Sequence, residues 1–276
     1  MRGAWTMAKT TFREAARKRF LWMGLLAGLA FLTLFGTGLH FQIRDLKRHA
    51  NPLFERGVLD SMLMMGLYAA DLLAVVMTIL ICVDTLSGEI SSGTIQAVVT
   101  KPIPRWAVIL GKWLGFAGMV TLFLSLMVGG VTAMTEAMGG VEPRHWLRGF
   151  CLIWLECLLL LSLVFLLGTL VSTLTNGVIA LGMHGMAFMG GWIEQAGALT
   201  HSPRTVEAGI IASLIMPSEA LWRRAAFEMQ SPLVGALRVS PFSNASVPSM
   251  AMVLYGVTYL AAVFALSIWR FQRRDL

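Results

Sequence analysis

At 276 residues, with 57% hydrophobic and only 13% charged side chains and a mean hydropathy of +0.71, the chain holds more apolar sequence than an ordinary soluble domain. The net charge of +7 does not point to nucleic acid, because Lys and Arg sit at the ends of the apolar runs, where anionic lipid is the simpler partner. Cys82, Cys151 and Cys157 lie within or beside those runs without C-x-x-C spacing, which argues against a disulfide framework and a zinc site.

In residues 1–19, Trp5, Ala8, Phe12, Ala15 or Ala16 and then Phe20 recur at three- or four-residue steps, while Arg2, Lys9, Arg13 and Arg17 take other faces. This spacing predicts an amphipathic helix lying in the membrane interface, closed by Lys18 and Arg19. A helix needs about 20 apolar residues to cross the hydrocarbon core. Six runs meet that length: Phe20–Gly38, Leu63–Val83, Trp113–Met134, Phe150–Val171, Gly177–Ile193 and Met250–Trp269. They are continuous rather than alternating, and lipid leaves no backbone amide unpaired, so an all-α membrane protein with six transmembrane helices is expected rather than a barrel. The first run follows a basic segment but has no small-x-small cleavage site, so it is expected to stay as an anchor.

Gly24-x-x-x-Gly28 and Gly111-x-x-x-Gly115 have the spacing that lets two helices approach closely. Gly182, Gly185, Gly190 and Gly191 make the fifth span smooth, as tight packing or a moving interface would require.

Between the second and third spans, Asp84–Lys112 is a polar island. Glu89, the helix-permissive run Gly93–Val99, the turn at Lys101-Pro102-Ile103-Pro104 and the return through Arg105 to Lys112 predict a short surface helix and a re-entry into the membrane. Glu89, Thr94 and Gln96 offer polar contacts, Ile95, Val98 and Val99 a small apolar patch, and Pro102 with Pro104 stiffens the return. Such a surface suits a partner. In residues 194–249, the apolar stretch Ala208–Met216 is too short to span and Ser218–Met229 is amphipathic, which predicts short helices lying on or dipping into the outer face.

Lys and Arg are denser in 1–19, 84–112, 172–176 and 270–276 than in 39–62, 135–149 and 194–249. By the positive-inside rule both chain ends and the polar island are expected in the cytoplasm. Inside the spans lie Asp71, Glu156 and His184, candidates for a translocation path or for interhelical bonds, since a charge at that depth must face a partner or water. No basic residue is deep enough to pair with Asp71 or Glu156, so protonation, hydrogen bonds to Ser or Thr, and an aqueous cavity all stay open. A membrane redox subunit and an intramembrane hydrolase are the rival readings. The first lacks a second intramembrane histidine for bis-His haem, and the second lacks any motif around Asp71 and Glu156.

The run Glu89-x-x-x-Gly93-Thr94, then Pro102-x-x-Arg105, then Gly111-Lys112 resembles the cytoplasmic motif of type-2 ABC exporter permeases, the membrane subunits of a class of ATP-driven transporters. Thr10–Arg19 is similar to that family's connecting helix, and Ser172-Thr173-Leu174-Thr175 and Arg270–Leu276 fit its remaining cytoplasmic pieces. The resemblance implies a plasma-membrane permease with both ends cytoplasmic and a coupling helix that meets an ATPase through Glu89, Gly93, Thr94, Gln96, Pro102, Arg105 and Lys112. It also implies a second permease subunit, identical or related, and two ATPase subunits. Gly111-Lys112 lacks both the upstream Gly and the following Ser or Thr of a phosphate-binding loop. No cofactor is therefore expected in this chain, ATP and magnesium belonging to the partner, and the chain by itself is not expected to be an enzyme. The cargo is not legible.

Overall fold

The structure is a computed structural model and describes residues 2–16, 19–46, 52–91, 104–231 and 246–273. The helices among them are α1 (Arg2–Ala15), α2 (Arg19–Leu46), α3 (Pro52–Ser91), α4 (Arg105–Gly139), α5 (Trp146–Gly168), α6 (Thr173–Leu199), α7 (Pro203–Ile215), α8 (Ser218–Met229) and α9 (Met250–Gln272). Five of them, α2, α3, α4, α5 and α9, are long and apolar enough to cross a bilayer. The fifth predicted span, Gly177–Ile193, falls in α6, a helix of 27 residues that is not among the five. Asn176, His184, Glu194 and Gln195 dilute its apolar content.

The helices run past most of the apolar runs that predict them. In particular the polar island is shorter than 84–112: α3 continues to Ser91 and α4 starts at Arg105. No proline interrupts Asp84–Ser91, and Leu86 is buried beside Gly168, so the helix gains packing by continuing. Pro104 (φ −63°, ψ 138°) is extended and immediately precedes α4, where a proline's fixed φ suits a helix start. The link is thus 92–104. Gly93–Val99 and Lys101–Ile103 lie outside the described residues.

Contacts between glycines and facing side chains fix the helix directions. Gly24 lies under Met77 and Gly66 under Phe35, so α2 and α3 are antiparallel, whereas Gly28 under Met127 and Gly130 under Leu32 make α2 and α4 parallel. At one end of the bundle, Arg105 Nη1 donates to the Gln272 carbonyl at 3.2 Å, Ser87 and Thr173 share a hydroxyl bond of 2.9 Å, and Gly111 touches Ala4 and Met7. The described parts of the N-terminal helix, the C-terminal helix end and both anchors of the 92–104 link therefore share this near face. The core is built mainly from α3, α4 and α5, with Leu67, Val128, Leu159 and Leu161 fully enclosed. By contrast α2 and α9 turn much of their apolar surface outward, Leu34 being 73% and Met250 71% exposed.

The predicted stripe on α1 is corrected by the packing. Ala4, Ala8, Thr11 and Ala15 are buried against α4, and Trp5 is 71% exposed. Gly111 and Gly115 leave room only for small residues: a Cβ on Gly111 would stand 2.6 Å from the Ala4 carbonyl oxygen, and one on Gly115 2.8 Å from that of Ala8. The alanine edge of α1, not its tryptophan, fits that groove.

Candidate functional site

The near face carries the first site. Lys112 begins the apolar stretch of α4 but is buried rather than exposed, and its ammonium donates to Glu89 Oε1 at the end of α3. Thr11, Glu14 and Ala15 of α1, with Thr85 and Phe116, enclose the pair. A buried ammonium is tolerated only with such a partner. The pair therefore binds α3 to α4 where the 92–104 link leaves and returns. Of the predicted contact residues, Glu89 and Lys112 face each other under α1, and Arg105 is half-buried and reaches the end of α9. Gly93, Thr94, Gln96 and Pro102 lie outside the described residues.

The second site lies inside the bundle. Glu156 is fully buried about 15 Å from the start of α5, at about 1.5 Å of rise per residue. His184 Nδ1 stands 3.8 Å from Glu156 Oε1 and 3.2 Å from Ser218 Oγ. Asp71 of α3 and Glu219 of α8 are close enough to act electrostatically on Glu156. The three residues that the sequence places inside spans thus converge, and Ser218 and Glu219 join them from a segment expected on the outer face.

A re-entrant hairpin brings those two residues in. From the turn after Leu199, α7 folds back along α6: Gly197 meets Thr205 and Val206, Gly209 meets Glu194 and the Gly190 carbonyl, and Gly190 meets Ala212. The chain turns at Met216-Pro217 beside His184, and α8 returns along α5 until Met229 packs on Gly149 and its carbonyl accepts the Arg144 N–H at 3.2 Å. The amphipathic face of Ser218–Met229 is consequently not a surface face. Ser218, Glu219, Leu221, Trp222 and Arg223 are all buried. Arg223 Nη2 donates to Glu194 Oε2 at 2.6 Å and Ser246 Oγ to Glu194 Oε1 at 2.5 Å, so the polar side of α8 is matched to α6. The pairing of Glu194 with Arg223 has no local sequence signal, because the turn and α7 separate them.

Two of the four glycines that the sequence singles out in α6 serve tight packing. Gly190 and Gly191 pack against Ala212 and Glu219, whereas a Cβ at Gly182 or Gly185 would meet nothing within 4 Å.

The geometry bears on the chemistry. Ser218 and Glu156 approach the same ring nitrogen of His184, unlike a relay in which the base addresses a nucleophile through one nitrogen and its orienting acid through the other. Among the described residues no group of His, Cys, Asp and Glu is arranged to hold a metal ion. What remains is a polar junction of four elements inside the bundle, roofed by a hairpin, and a two-helix base on the near face where the 92–104 link leaves and returns.

Comparison with curated proteins gives no match. The family described as ABC-2 family transporter protein, however, matches residues 5–276, a stretch that takes in α2 to α9 and all but the first residues of α1, and the chain belongs to that family.

Proposed function

We propose that the chain is the permease subunit of an ATP-driven exporter in the plasma membrane, with both ends cytoplasmic and α6 as a sixth crossing beside the five apolar helices. Two such subunits, identical or related, pair through the membrane and are served by two ATPase chains that hold ATP and magnesium. The chain itself carries no catalytic group and no cofactor. The 92–104 link is the coupling element: its residues Gly93, Thr94, Gln96 and Pro102 meet the ATPase, and nucleotide-driven closure moves it together with α3 and α4.

The observation that carries this reading is the Lys112–Glu89 pair under α1. A link tied to two helices through a buried ion pair transmits displacement into both, whereas a slack loop absorbs it. Glu89 and Lys112 therefore act as the brace behind the contact, and Thr94 and Gln96 as the contact itself.

Thr94→Arg and Gln96→Arg test the assignment, since both change the link and leave Glu89 and Lys112 as they are. The expected result is loss of ATPase copurification and of transport-linked ATP hydrolysis with an unchanged melting temperature of the permease. Parent values of both would contradict it.

A further inference from the structure

The structure assigns the junction of Asp71, Glu156 and Glu219 the role of a proton-binding site that the α7–α8 hairpin closes. Glu156 is fully buried and neither carboxyl oxygen has a hydrogen-bond partner; Asp71 Oδ1, equally enclosed, has none. Buried polar atoms are rarely left so, and each unmade bond costs about 1–3 kcal/mol in ordinary settings. The charged groups facing the junction are few. Tyr68 and Asp71 come from α3, Glu156 and Cys157 from α5, His184 and Glu194 from α6, and Glu219 and Arg223 from α8. Arg223 is the single cation among them and is bonded to Glu194.

Three carboxyls enclosed together, with Arg223 already bonded to Glu194, hold together only when protons occupy them. A carboxyl O–H then supplies the donor that Glu156 and Asp71 lack. When the hairpin lifts and water enters, the carboxyls ionise, repel one another and hold the hairpin away. Each lifting event therefore releases protons to the far face, and each closure takes them up. Ser218 and Glu219 at the very start of α8 make the hairpin tip itself a party to this exchange. The inference rests on the membrane-crossing reading of α3, α5 and α6 and not on the ATPase contact, so the two fail separately.

The test is thiol labelling of the hairpin turn in native membrane vesicles of both orientations, with the ATPase partner present. Cys82, Cys151 and Cys157 are replaced by Ala, and Met216→Cys is compared with Glu142→Cys, an exposed far-face position that corrects for the reagent's own pH dependence. A membrane-impermeant maleimide is the probe. The expected result is a labelling ratio that rises from about pH 6 to about pH 8.5 by up to about tenfold per pH unit for each proton released. Glu156→Gln with Asp71→Asn should flatten that rise; Glu219→Gln, on the hairpin, is the second variant and should reduce its slope. A flat ratio in the parent, or a rise unchanged in both variants, would overturn the assignment.

Discussion

Lys112 reaches Glu89 from beneath α1 with only 5% of its side chain exposed. The two residues come from the helices on either side of the 92–104 link, and α1 covers them with Thr11 and Ala15. One ion pair thus fastens α3 to α4 beneath α1 at the near face.

Reversing its polarity separates the effect of the pair from that of either residue. Lys112→Glu alone leaves two carboxylates in a covered space, a loss of about 3–5 kcal/mol for a buried pair, and Glu89→Lys leaves two ammonium groups there. Both single variants should lower the melting temperature of the purified permease and lose ATPase copurification. Glu89→Lys with Lys112→Glu should recover most of both. A double variant no better than the singles would mean the pair is incidental.

The seat of α1 on α4 depends on two missing side chains. Gly111→Val places carbon atoms against the Ala4 carbonyl and the Met7 Cβ, and Gly115→Val against the Ala8 carbonyl; overpacking of this kind costs about 1–3 kcal/mol. Limited trypsin digestion should then cut at Lys9 and Arg13 markedly faster than in the parent. Gly129→Ala, where nothing lies within 4 Å, should leave the digestion rate unchanged.

The hairpin is latched where Arg223 meets Glu194. Arg223→Ala strands Glu194, which is 7% exposed at its side chain, and should cost about 3–5 kcal/mol, read as a lower melting temperature and faster proteolysis between α6 and α9. Arg223→Met with Glu194→Met removes both charges at similar volume and should lie close to the parent. Equal losses in the two variants would show that the latch acts by packing and not by charge.

The sequence made most of the helices readable, because each long apolar run can satisfy its amides in lipid only by winding into one; α2 to α4 and α9 contain theirs, and α5 holds all of its run but Thr169–Val171. Where each helix stops was less legible: Asp84–Ser91 looks polar in a row, yet Leu86 and Ser87 turn onto α5 and α6, and Thr85 turns toward the Glu89–Lys112 pair. Lys112 reads as a boundary cation for the same reason, since nothing near it in sequence announces Glu89. Asp71, Glu156 and His184 could be singled out because ionisable residues are costly in lipid, and they do converge. Ser218 and Glu219 could not, as an amphipathic stretch looks alike whether its polar face meets water or a buried glutamate, and it is the contacts of α8 with His184, Glu194 and Gly149 that decide that it turns inward.

The account depends most on which side of the membrane the 92–104 link occupies and what it touches there. Photo-crosslinking from position 94 in intact native membranes, paired with impermeant thiol labelling of Thr94→Cys from outside whole cells, measures both. The predicted result is an adduct with an ATP-binding subunit and no labelling from the exterior. Labelling of position 94 from outside, with Glu142→Cys protected under the same conditions, would contradict it.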